Sequence, residues 1–470
     1  MVDPYDEAAA RAWAAFTVGR QDEAIDICRE TLARMPDHAG LLGVYGIIVG
    51  ERGDIETAVE KLQVARSLAP HNPDWPFNLA IAYRRGGRLD EAKAMLLESL
   101  RLRPGSIQYL IELSILHASL GEERHTLAIC LDILAHEPDN ADGHLLLAET
   151  LLRRGEMSLG WKVYVRGQRL RQDRPRIEVS PAAEPNAALP RWKGIRSPDL
   201  PILLSCDQGF SEMIQFARYV PLVAQQCASV ALQTPTELVP LLSRIPGITV
   251  VPVGQSPQLA YAEHAMLSDL PELFATTVSN IPNRIPYLDA DPARAQVWRE
   301  KLATFHGNKR VLVGLIWSGG ITNPRRMERS LSFAQLAPLL AVPGVAFTGL
   351  QKPVEVEALQ RAHVLDLSPE LTDFGEIAAV LANLDLTITV DGPVAHLAGS
   401  LGREVWVLLS RPADWRWLKD RDDSPWYPTM RLFRQRTIGE WGDPLKRAVT
   451  SLIGFVGERY QIRAPAAGSR

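Results

Sequence analysis

Two stretches of this chain end an apolar run on a carboxylate and then turn into a helical pattern. LTITVDGPVAHLAGSLG (386–402) passes from a β-branched run to Asp391, and a helix is expected from about Pro393. Proline suits a first helical turn, because its missing N–H would be unpaired there anyway. The amides of Gly392, Val394 and Ala395 at such a helix start form a site for an anion such as a diphosphate. Asp391 would then stand where it can accept hydrogen bonds from sugar hydroxyls. An Asp before a helix also serves as a simple N-cap, and His396 also reads as a structural histidine. The second stretch is LLSCDQGFSEMIQF (203–216). Glu212, or Asp207, in the turn after its strand is suited to act as a general base on an acceptor hydroxyl. Glutamate is also common in first helical turns, where it faces the positive end of the helix dipole.

Positioning these turns requires strands that end at them. PILLSC (201–206), SVALQ (229–233) and ITVVP (248–252) read as strands, with the helical EMIQFARYVPLVAQQ (212–226) between the first two. A second series runs VLVGLIWS (311–318), VAFTGL (345–350), HVLDL (363–367), LTITV (386–390) and EVWVLL (404–409). Apolar runs alternating with helices predict parallel sheets in α/β units. Two series with a junction near 290–310 predict two doubly wound, Rossmann-like domains, 201–305 and 306–460, facing each other across a cleft. Ligands in such folds bind beyond the carboxyl ends of the strands.

The first third of the chain follows another rule. Pro36, Pro70, Pro104 and Pro138 recur every 34 residues, and Gly19, Gly53, Gly87, Gly121 and Gly155 keep the same step. This lattice predicts a tandem array of helical hairpins of the tetratricopeptide type over residues 5–172, an α-solenoid of five repeats. The glycines end first helices, and the prolines follow second helices that they cannot continue. Small residues recur where paired helices cross: Ala12, Gly46, Ala80, Ser114 and Ala148 in first helices; Ala24, Ala58, Ala92, Thr126 and Gly160 in second helices. Their spacing speaks for packing and says nothing of a ligand. The outward positions of the first helices, Val44, Asn78, Glu112 and Leu146, are the candidates to touch a protein partner; Asn78 and Glu112 are the acceptor-binding residues expected here. The last repeat lacks its proline, as a capping repeat can.

Six prolines from Pro175 to Pro201 mark a connector, placed at 173–200, within which Trp192 could anchor to a neighbouring domain. The net charge of -4 gives no support for a nucleic-acid partner. No apolar run approaches the roughly 18 residues of a membrane span. The acidic N-terminus shows no signal peptide. The four scattered cysteines, without a CxxC pair, argue against both a disulfide framework and a zinc site, and a cytoplasmic location is expected.

The segments from PRW (190–192) onward resemble bacterial tetratricopeptide-repeat glycosyltransferases related to the family 9 heptosyltransferases, and more distantly the O-GlcNAc transferases. The likeness rests on GFSEMIQFARYVP (209–221), IPYLDADPAR (285–294), VGLIWSG (313–319), Arg329-Ser330, LQK (350–352), the long 367–402 segment and DWRWLKDRDDSPWYPTMRLFRQ (414–435). It implies a GT-B-like pair of domains, a nucleotide-diphosphate sugar as co-substrate, inversion at the anomeric carbon, and no metal or other cofactor. Carried over residue by residue, it makes Glu212 the catalytic base. It makes Asp391, Gly392, Pro393, Val394, Ala395 and His396 donor contacts, with Ser318. It makes Arg325, Arg326, Arg329 and Lys352 the cations for the phosphates.

This chain departs from that pattern on the chemistry itself. Ser211 and Glu212 stand where the family turn reads Gly-Asp, and Gly392-Pro393 stand where the donor motif reads Thr-x after its Asp. Trp415, Trp417 and Trp426 read as cleft wall and core rather than as base-stacking platforms. The expected function is an inverting protein O-glycosyltransferase acting on Ser or Thr of a protein held by the repeats, with flagellin an acceptor to consider. A non-catalytic scaffold on the same fold is the alternative. A lipid-sugar transferase fits less well, since it has no need of a peptide-binding array.

Overall fold

The computed structural model describes residues 4–172, 189–206, 209–255, 261–306, 311–319, 329–352 and 356–463. The chain divides into two compact units, Met1–Thr150 and Leu151–Arg470. Expected site residues Arg325 and Arg326, and the alternative base Asp207, lie outside the described residues.

Ten helices occupy the region of the 34-residue lattice. They are α1 (Pro4–Thr17), α2 (Gln21–Leu32), α3 (Ala39–Glu51), α4 (Ile55–Leu68), α5 (Asp74–Arg85), α6 (Leu89–Leu102), α7 (Ile107–Leu120), α8 (Glu123–His136), α9 (Ala141–Arg153) and α10 (Met157–Gln172). The division between the units falls inside α9, so α10 belongs to the second. All five lattice glycines adopt positive φ, from +74° to +93°, a backbone state that L-residues with a Cβ rarely enter. The lattice prolines sit in the turns after α2, α4, α6 and α8. All ten small positions are buried. At Gly46 a Cβ would lie 2.8 Å from Leu62 Cγ and 3.2 Å from the Ala58 carbonyl, so the crossing of α3 and α4 leaves no room for a methyl. Neighbouring repeats are tied by ion pairs: Arg66 to Glu98 with two bonds of 2.8 and 2.9 Å, and Arg85 to Glu51 at 2.7 Å.

The second unit holds two wholly parallel sheets. The first has β1 (Ser197–Ser205), β2 (Cys227–Thr234), β3 (Ile248–Pro252) and β4 (Glu263–Met266) in the order β3-β2-β1-β4. The second has β5 (Val311–Ile316), β6 (Val345–Gly349), β7 (Leu365–Asp366), β8 (Leu386–Val390), β9 (Val405–Leu409) and β10 (Met430–Arg434) in the order β10-β9-β8-β5-β6-β7. The latter is a doubly wound order whose direction reverses between β5 and β8, and the former reverses between β1 and β4. Strands β6, β8 and β9 are buried along their whole length, as strands covered on both faces must be. Helix Gly442–Arg463 closes one face of the six-stranded sheet with Leu445, Ala448, Leu452 and Val456. The strands β4 and β10 are additional to those read from the sequence, and the expected long helix 212–226 is broken into Phe210–Phe216, a 3-10 turn at Ala217–Tyr219 and Val220–Ala224.

The connector joins the second unit at its C-terminal end. Trp192 is buried there; its backbone N–H donates to the His264 carbonyl (2.8 Å) and its indole to the Ile195 carbonyl (2.9 Å).

Candidate functional site

Both carboxylate turns leave strands that border a reversal of strand order: Asp391 follows β8, and Glu212 follows β1. Such reversals open a crevice, because the connections on either side leave toward opposite faces. Helix Phe210–Phe216, which carries Glu212, packs against helix Pro393–Ser400, which follows Asp391. The fold thus brings the two turns to one place.

Arginines from two further segments bridge them. The Arg416 guanidinium donates to Glu212 Oε1 at 2.5 Å, to Asp414 Oδ1 at 2.7 Å and, through Nε, to Gln215 Oε1 at 2.8 Å. The Arg329 guanidinium donates to Asp414 Oδ2 at 3.3 Å and to Asp391 Oδ2 at 2.8 Å. The result is an unbroken relay, Glu212–Arg416–Asp414–Arg329–Asp391, of alternating sign and largely shielded from water. Burial opposes ionisation of Asp414, yet the guanidiniums of Arg416 and Arg329 hold its carboxyl well below the usual range. Burial pushes the Asp391 carboxyl up, with only partial relief from Arg329. The two aspartates therefore differ in proton affinity although they share one arginine.

Asp391 is not a helix cap. The cap position of helix Pro393–Ser400 is Gly392, no side chain closes it, and Pro393 opens the first turn. The Ala395 amide donates to the Gly392 carbonyl at 3.1 Å, so it is already engaged inside the helix. Gly392 is extended (φ 175°), and a Cβ there would meet nothing within 4 Å. His396 is buried, stacked on Trp417 at 5.1 Å between centroids, and its Nδ1 lies 2.9 Å from the Tyr427 hydroxyl. Its Nε2 is buried with no hydrogen-bond partner among the described residues. Burial, reinforced by Arg416, keeps this imidazole neutral well below its ordinary range.

Ser318 follows β5 at the same strand-order reversal as Asp391. Its N–H donates to Gln351 Oε1 at 2.9 Å and its hydroxyl lies 3.1 Å from that of Ser330. The Lys352 ammonium donates to the Leu371 carbonyl at 2.7 Å. Trp415, Trp417 and Trp426 are all buried, and Trp415 and Trp426 flank Trp161 of α10. In the first unit, Asn78 donates back to the Asp74 carbonyl of its own helix (2.8 Å), and Glu112 accepts from Arg84 Nε of the preceding repeat (2.6 Å). Both are half-buried, as are Val44 and Leu146.

Nothing in the local sequence marks Arg416, Asp414 and Gln215 as site residues. The nearest signal was the charged residues interleaved with tryptophan in DWRW, and a buried arginine needs carboxylate partners from elsewhere in the fold.

A tetratricopeptide-repeat family profile matches residues 51–111. Along most of its length the chain is similar to Protein FlbA of Caulobacter vibrioides (strain ATCC 19089 / CIP 103742 / CB 15). The two are 24% identical over 524 residues, covering 96% of this chain and 85% of that one. Similar solved structures include TTC0263, a thermophilic TPR protein of Thermus thermophilus, 20% identical over 36% of this chain and 92% of that one (TM-score 0.32). Another is MamA from residue 41 onward of Desulfovibrio magneticus RS-1, 14% identical over 37% of this chain and 99% of that one (TM-score 0.33). The N-terminal helices form a repeat array of tetratricopeptide-like kind, and an α/β region with two parallel sheets follows them.

Proposed function

We propose that this chain is an inverting protein O-glycosyltransferase of GT-B type, using a nucleotide-diphosphate sugar, with a protein acceptor held by the repeats. The observation that carries the reading is the meeting of the Glu212 and Asp391 turns, each beside a reversal of strand order, through one charge relay. The resemblance of segments 209–221 and 367–435 to repeat glycosyltransferases supports it. A tetratricopeptide array is suited to hold a polypeptide. Flagellin is the first acceptor to try, and the cytoplasm the proposed location.

In the proposed step a Ser or Thr hydroxyl oxygen attacks the anomeric carbon as the bond from that carbon to the diphosphate oxygen breaks. The hydroxyl proton passes to Glu212, and the bonding pair leaves with the nucleoside diphosphate. Asp391 accepts from sugar hydroxyls. Arg329 and the start of helix Pro393–Ser400 balance charge growing on the leaving group. No metal takes part. Arg416 must slacken its bond to Glu212 as the acceptor enters, so closing of the site around substrates belongs to the proposal.

Intact-mass analysis of a co-expressed acceptor tests it, with wild type, Asp391→Ala and Glu212→Ala. Mass gain in the wild type alone is expected; equal gain in all three sinks the site assignment. The second reading, a non-catalytic scaffold, draws on Ser211 and Pro393 in the two turns and on the engagement of Glu212 by Arg416. A thermal shift with a panel of nucleotide sugars separates the two, since a ligand of the native state stabilises it. A shift in wild type that Asp391→Ala loses supports the transferase, and no shift with any donor supports the scaffold.

A further inference from the structure

In the first unit, far along the sequence from the relay, the turn of the fourth repeat gathers two imidazoles and a carboxylate. His117 lies in the last turn of α7, Gly121 turns the chain back with φ +75°, Glu122 precedes α8, and His125 lies in the first turn of that helix. The left-handed glycine folds His117 toward Glu122, and one helical step brings His125 beside them. His117 Nδ1 contacts Glu122 Oε2 directly, His125 Nδ1 lies 3.9 Å from the same oxygen, and the two rings stack at 4.9 Å. All three ligand atoms lie within 4.8 Å of one another.

We propose that His117, Glu122 and His125 form a binding site for a divalent transition-metal ion of the zinc class. Two imidazole nitrogens and one carboxylate oxygen are an established donor set for zinc, whereas magnesium and calcium prefer oxygen alone. Zinc needs nitrogens and oxygens at about 2.0–2.2 Å, which in a tetrahedron keeps those atoms about 3.3–3.6 Å from one another, so Glu122 Oε2 must part from His117 Nδ1 by roughly an ångström and His125 must close in on both. The structure leaves that freedom to the half-exposed Glu122 and to His125. His117 is buried and fixed by α7, while the His125 side chain is 68% exposed and free to tilt. The place is already attractive to a cation: Lys93 of α6, in the preceding repeat, reaches Glu122 Oε2 at 3.1 Å and Oε1 at 3.4 Å. Three protein ligands leave one position of a tetrahedron for water. No cysteine is involved, so the scattered cysteines of this chain do not bear on the site. The ion would clamp the end of α7 to the start of α8.

The test uses the full chain, freed of metal with a chelator and titrated calorimetrically with zinc chloride; cobalt(II) serves as the spectroscopic probe. One site is expected, with a dissociation constant on the order of micromolar or tighter, a tetrahedral cobalt spectrum, and a rise in the unfolding midpoint. His125→Ala alters an exposed residue and preserves the fold; together with Glu122→Gln it is expected to weaken binding at least about tenfold. Lys93→Met removes the competing ammonium and is expected to tighten it. Circular dichroism checks that each variant is folded. Equal zinc affinity in wild type and His125→Ala, or no binding by the wild type at about 100-fold excess over protein, overturns the proposal.

Discussion

Arg416 is where two carboxylates that lie far apart in the sequence are made compatible with burial. Removing a buried cation leaves its partners uncompensated, which typically costs about 3–5 kcal/mol. Arg416→Met is expected to lose that much, read by chemical denaturation, because Asp414 and Glu212 would both lose their closest positive charge. Glu212→Gln is expected to lose far less, since the amide oxygen still accepts from Arg416. A second residue-scale prediction concerns acid. The His396 imidazole stays neutral in the folded protein well below the range in which an unfolded histidine takes up a proton, first because it is buried and then because Arg416 and Arg218 repel a further positive charge; only Asp414 favours the charged form. The unfolded chain therefore binds more protons as pH falls through about 6.5. Stability contributed by the neutral imidazole is present above that pH and is lost below it. His264, lowered by burial and Arg191, acts in the same direction. Asp391, which burial pushes up, acts in the opposite one. The unfolding midpoint is expected to drop between about pH 7 and pH 5, and His396→Phe to flatten the drop, as measured by thermal denaturation across that range.

At the scale of elements, two glycines forecast opposite outcomes for the same kind of change. Gly46→Ala gains helix propensity but drives a methyl into Leu62 and the Ala58 backbone. Overpacking of that kind costs about 1–3 kcal/mol, so a lower midpoint is expected. Gly392→Thr meets open space on an extended backbone. It is expected to change stability by no more than about 0.5 kcal/mol, and on the proposed function to tighten binding of a nucleotide sugar in a thermal-shift titration. The repeats were legible because their rule is local: a left-handed glycine, a proline and small crossing residues recur at one interval. Strand cores were equally plain where the runs were continuously apolar, as in LTITV and EVWVLL. The short EHAM of β4 and the arginine-bearing MRLFR of β10 lack that signature, and both are held by pairing with a better strand. The carboxylate turns could be picked out as strand ends; the relay could not, since Arg416 and Glu212 are 204 residues apart.

For the whole molecule, the interval that defines the repeats does not coincide with the seam between compact units. α10 carries the last of the small crossing positions, Gly160, yet its Trp161 is buried among Phe216, Trp415 and Trp426 of the α/β region. A fragment starting at residue 151 keeps that indole, and one starting at 173 does not. Loss of a buried tryptophan side chain costs about 3–5 kcal/mol. The longer fragment is expected to unfold cooperatively, and the shorter to be weaker by at least that amount or to fail to fold, as followed by tryptophan fluorescence in denaturant.

The five left-handed glycines have a consequence for how such an array can be altered. They shape the chain through backbone conformation, and four of them have nothing within 4 Å of where a side chain would begin. The outward residues Val44, Asn78, Glu112 and Leu146 belong to a separate set of positions. On the proposed function, punctuation and address are thus written in different letters. On that same proposal, the array would be redirected to another polypeptide by rewriting the second set while the first is left untouched.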